Sequence, residues 1–61
     1  MNIYDLVDEH LNFGDKSARI VAAILANLLD RKGIRQELEA IDTDTSTEMF
    51  FDLIKTIDAI L

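Results

Sequence analysis

The segment SARIVAAILANLLDRK, Ser17–Lys32, followed at once by Gly33, decides the fold. From Ile20 to Leu29 every residue except Asn27 is apolar. At about 100° per residue, Ile20, Val21, Ile24, Leu25, Leu28 and Leu29 sweep half of a helix circumference. Ala22, Ala23 and Ala26 lie on the other side, with Arg19, Asn27 and Asp30. A surface helix needs only a narrower apolar stripe, so neighbours are expected on more than one side of this one. The segment reads as the central helix, about 16–32, of an all-α domain. Arg31 and Lys32 suit the negative end of its dipole, and Gly33 ends it in a sharp turn.

Towards the N-terminus, Ile3, Leu6, Val7, His10 and Leu11 repeat at helical spacing and predict a first helix over about 2–12, with Asn2 as its cap. Gly14 is expected to close it in the left-handed conformation, and Asp15 to cap the central helix. Phe13 is expected to plug the space between the two helices. Beyond Gly33, only Ile34, Leu38 and Ile41 are apolar at helical spacing, which predicts a short surface helix over 34–41. The polar run Asp42–Ser46 then leads into Thr45-Ser46-Thr47-Glu48, a capping-box pattern with Thr45 as cap and Glu48 turning back to it. A last helix over 46–61 follows, with Met49, Phe50, Leu53, Ile54, Ile57, Ile60 and Leu61 as its stripe. Phe51 points away from the centre of that stripe, and the helix is expected to be packed to its end. The expected fold is one domain, 1–61, a bundle of three to four helices.

A chain of 61 residues buries only about 60% of the surface its unfolded form exposes, and small domains compensate with disulfides, metals or association. There is no Cys and a single His, so disulfides are excluded and neither metal nor cofactor is expected. Association is left, and a homodimer completing the bundle is expected. Ala22, Ala23 and Ala26 invite a close-approaching helix from a second copy, and Phe51 is a further self-association candidate. The net charge of −6 is unevenly placed. Residues 15–35 carry five bases against two acids, whereas residues 36–61 carry seven acids against Lys55 alone. The basic middle of one copy can therefore meet the acidic tail of another. Glu37, Glu39, Asp42, Asp44, Glu48 and Asp52 form a candidate surface for a basic protein partner. The acidic N-terminus and the short apolar run lead to the expectation of a cytoplasmic chain without a membrane span.

Motifs for catalysis do not hold together. Asp42-x-Asp44-x-Ser46 starts like a calcium-binding loop, but the sixth and twelfth positions are Thr47 and Leu53 where glycine and a bidentate glutamate are needed. The same residues superficially resemble the D-x-D-x-[TV] motif of haloacid-dehalogenase-type enzymes. That resemblance would imply a strand-end site in a large α/β domain, which a helical chain of this length cannot build. An Asx-rich helix connection accounts for the pattern. His10 reads as a satisfied histidine on an apolar face, and Ser17 and Ser46 as helix-start residues. The acid pairs Asp8–Glu9 and Glu37–Glu39 are at spacings that do not face each other on a helix. The expected function is non-catalytic: an adaptor or inhibitor-like protein-interaction module. The alternative is a helix-turn-helix DNA-binding regulator in which Arg31, Lys32 and Arg35 at the Gly33 junction touch phosphates. Glu37 and Glu39 on its recognition helix, and the acidic balance of the chain, oppose nucleic acid.

Overall fold

Residues 2–61 are described by the computed structural model. They form α1 (Ile3–Phe13), α2 (Lys16–Leu29), α3 (Ile34–Ala40) and α4 (Thr43–Ile60). The all-α bundle of four helices expected from the sequence is the one observed, and its starts are set by side-chain caps. Asn2 Oδ1 accepts the Asp5 N–H at 2.9 Å, and Asp15 Oδ1 accepts the Ala18 N–H at 3.0 Å. Gly33 adopts φ +94° and ψ −58°, open to glycine and strained for other residues, and turns the chain sharply into α3. Gln36 Oε1 reaches back to accept the Gly33 N–H at 2.6 Å, satisfying a donor that the first turn of α3 leaves free.

Four local expectations are corrected. The last helix begins three residues early: Asp42, not Thr45, is its cap, accepting the Thr45 N–H at 3.1 Å. A carboxylate is at least as good a cap as a threonine hydroxyl and adds a favourable charge at the positive helix end, so the earlier of two competing signals prevails. The central helix stops at Leu29, so Arg31 and Lys32 lie in the turn beyond it. Gly14 is extended at φ −77°, not left-handed. Glycine is needed there for closeness: a Cβ would lie 2.6 Å from the His10 carbonyl oxygen and 2.8 Å from Ala18 Cβ. Because α1 and α2 approach so tightly at this corner, no phenyl ring fits between them, and Phe13 is 86% exposed instead of acting as a plug.

The core lies where α1, α2 and α4 meet. Ile3, Leu6 and Val7 from α1 and Val21, Ala22, Leu25 and Leu29 from α2 close around Phe50, which has no exposed surface. Met49, Ile54, Ile57 and Leu38 pack against this cluster from its edge. The His10 ring sits 4.8 Å from Phe50 and 5.6 Å from Phe51, and its Nδ1 lies 2.8 Å from the Leu6 carbonyl. A carbonyl only accepts, so this nitrogen carries the hydrogen. The histidine is satisfied within the fold, as its apolar face indicated. α4 returns antiparallel to α2, so the start of α2 meets the end of α4: Ser17 Oγ donates to Asp58 Oδ1 at 2.7 Å. Short α3 has no buried residue and is tied to α1 by the Tyr4 hydroxyl, which donates to Glu39 Oε2 at 2.6 Å.

Candidate protein-docking surface

Helix α2 is apolar nearly all round, yet the bundle covers only part of it. Its buried side is Ser17, Ala18, Val21, Ala22, Leu25 and Leu29. The core therefore faces further towards the alanines than the arc of large side chains suggests. Ile24, towards the edge of that arc away from the core, is left 51% exposed, with Ile20 and Leu28 half-buried beside it.

Beside Ile24 runs a groove of about 220 Å3 between α2 and α4. Buried Val21 and Leu25 line it together with Ile24 and Leu28 from α2 and Leu53, Thr56 and Ile57 from α4. All its exposed atoms are apolar. Thr56 fits this lining because its hydroxyl bonds back along its own helix, donating to the Asp52 carbonyl at 3.1 Å. The same side of α4 continues to Ile60 and Leu61, which are 78% and 62% exposed, so the expected packed end is not there. Among the described residues no further element crosses that end to cover it. Among the described residues nine apolar side chains are buried and nine large ones are exposed. Of the exposed ones, Ile24 and Leu53 lie together on the groove, whereas Tyr4, Leu11, Phe13, Ile34 and Phe51 are scattered over other parts of the surface.

The residues expected to drive self-association are not brought together. Ala22 is fully buried in the core of its own chain and is unavailable to a second copy. Ala23 and Ala26 line a separate, shallower groove with Tyr4, Val7 and Asp30 between α1 and α2. Phe51 is on another side, half-exposed with its ring edge-on to His10 and Phe50. Helical periodicity alone could not tell which part of a broad apolar arc turns inward. The usable signal for the groove was the i, i+4, i+7 spacing of Leu53, Ile57 and Ile60 on α4 combined with the excess width of α2.

The acidic candidates Glu37, Glu39, Asp42, Asp44, Glu48 and Asp52 are all exposed along α3 and the first half of α4. Two of them have structural duties. Glu39 holds Tyr4, and that hydrogen bond, chiefly, pushes the tyrosine pKa up. Asp42 is held below the usual carboxylate range, first by its hydrogen bonds to Thr45. At the basic junction Arg31 and Lys32 are exposed, Arg31 Nε donates to Asn27 Oδ1 at 3.1 Å, and Arg35 is half-buried. The would-be recognition helix has only seven residues and is pinned to α1 through Glu39. Among the described residues no group of three His, Cys, Asp or Glu is placed to hold a metal ion, and no helix is long and apolar enough to cross a membrane. Comparison with protein-family models, curated proteins and solved structures finds no match to the chain.

Proposed function

We propose that this chain is a non-catalytic protein-interaction module that docks a helical polypeptide in the α2–α4 groove. The observation that carries the reading is the wholly apolar groove beside half-exposed Ile24, on the helix with the greatest apolar excess. An amphipathic helix laid there would bury Ile24 and Leu53 with its apolar face, the usual physics of helix-in-groove recognition. Glu48 and Asp52 on α4 would favour a partner with basic residues beside its apolar stripe. The side chains with chemical potential are otherwise occupied: His10 is wedged against two phenyl rings and Ser17 ties α2 to α4.

The test is binding of a synthetic helical peptide of leucine and lysine, followed by calorimetry on the intact chain and on Ile24→Glu. The expected result is a negative heat-capacity change with the native chain and binding at least tenfold weaker with the variant. Equal binding by both removes the groove from the reading. A parallel titration with duplex DNA, with affinity falling steeply as salt rises, would instead favour the basic junction.

A further inference from the structure

Resting on that reading of the groove, we infer that its occupant is a second copy of this chain, related by a two-fold axis parallel to the helices, so that α2 of each copy lies on α4 of the other. The first support is size. The bundle measures 30 × 21 × 19 Å, so each long side is about 600 Å2 in outline. A stable interface takes about 600–1,000 Å2 from each partner, so a dimer must use a whole long side, and the α2–α4 side is the one that carries the apolar groove.

The second support is charge, which also selects the orientation. Lys16, Ile20, Ala23, Ile24 and Asn27 share the outer side of α2 at 100° per residue, and Arg31 continues it just past the helix end. Ile20, Ala23 and Ile24 make its middle apolar, Asn27 holds Arg31 beyond them, and a cation stands at each extremity. At the same spacing Asp52 and Glu48 follow Thr56 round the outer side of α4, with Lys55 next to Glu48. Two-fold packing can place these helices in two ways. An axis across the helices sets α2 antiparallel on α2 and α4 on α4. Lys16 then approaches Arg31 of the second copy at both ends, and Asp52 approaches its own equivalent. An axis along the helices sets α2 on α4 of the second copy at the same level as its own α4, because Ser17 and Asp58 are level. Arg31 then reaches Glu48 of the second copy, and Lys16 faces the last turn of its α4, where free carbonyls are negative. Charge complementarity chooses this second arrangement. Every neighbouring pair of long helices around the seam is then antiparallel, as in a four-helix bundle.

Sedimentation equilibrium from micromolar to millimolar chain tests the inference. The native chain is expected to dimerise. Ile24→Glu and Leu53→Glu, each entering the interface twice and each on an exposed side chain, are expected to weaken association at least 100-fold while circular dichroism stays helical. The orientation is tested with two rim variants. Arg31→Glu alone and Glu48→Lys alone are each expected to weaken the homodimer several-fold, because both contacts become like-charged. Mixed together they are expected to form a heterodimer of native strength, because both contacts are then of opposite charge. A homodimer strengthened by Arg31→Glu, which would relieve its meeting with Lys16, would overturn the orientation. A native chain that stays monomeric at millimolar concentration overturns the second copy as occupant. If that monomer still binds the leucine–lysine peptide through Ile24, the interaction reading survives; if it does not, both fall.

Discussion

Replacing Gly14 by alanine separates two reasons for glycine. At φ −77° an L-residue is unstrained, and by backbone entropy alone Gly14→Ala would stabilise the fold by about 0.4–1 kcal/mol. The structure reverses the sign. The added Cβ would sit 2.6 Å from the His10 carbonyl oxygen, a backbone atom that also accepts the Gly14 N–H at 3.0 Å. It would also sit 2.8 Å from Ala18 Cβ, in the first turn of α2. Carbon atoms pack at about 3.5–4.0 Å, so α2 would have to retreat from α1 by roughly an ångström or the α1 terminus would have to open. Overpacking of this kind costs about 1–3 kcal/mol, leaving a net loss of about 1–2 kcal/mol after the entropic gain. The total stability expected for a chain of this size is about 3–9 kcal/mol. The variant should therefore fold, with a melting temperature lower by about 5–15 °C. Urea and thermal unfolding followed by circular dichroism at fixed chain concentration would measure it. Gly33 supplies the control, because a Cβ there meets nothing within 4 Å but φ is +94°. Gly33→Ala should lose about 1–2 kcal/mol from backbone strain, whereas D-alanine at that position in a synthetic chain should not. A Gly14→Ala variant as stable as the parent, or more so, would refute the close-approach argument.

Three further outcomes follow from the same packing. Phe50→Ala removes the ring around which α1, α2 and α4 close, and should cost about 3–5 kcal/mol, enough to leave the chain largely unfolded at 37 °C by calorimetry. Phe13→Ser should change stability by no more than about 0.5 kcal/mol, since the ring is in solvent; a large loss in urea unfolding would mean that it plugs the corner after all. Asp42 has a folded pKa below its ordinary value. Its cap is therefore fully effective above the ordinary aspartate range and is lost as pH falls through the depressed folded value. Protection of the Thr45 amide, its exchange measured against the intrinsic rate at each pH, should fall over that acid window, and in an Asp42→Ala variant this loss of protection with pH should be absent.

Helix type and order were legible because periodicity and capping chemistry are local properties. Asn2 and Asp15 perform their expected tasks from within the segments they delimit, whereas Gly33 makes the expected sharp turn but starts α3 instead of ending α2, which Asp30 closes. At Asp42 the local code held two rival caps, and the competition was settled one helical turn from the expected place. The interaction surface was less legible. The excess apolar width of Ile20–Leu29 announced that α2 has more to cover than one core face, and the uneven charge announced which segments attract.

What tertiary structure alone decided is which part of that width faces inward. A helix with apolar residues over more than half its circumference can be rotated about its axis at little local cost, so its orientation is set by the neighbours it packs against. Here the close corner at Gly14 and the Phe50 ring draw Ala22 into the core, expose Phe13, and turn Ile24 outward beside Leu53. The sequence by itself determined that α2 would carry surplus apolar surface; the packing of α1 and α4 determined where that surplus emerges.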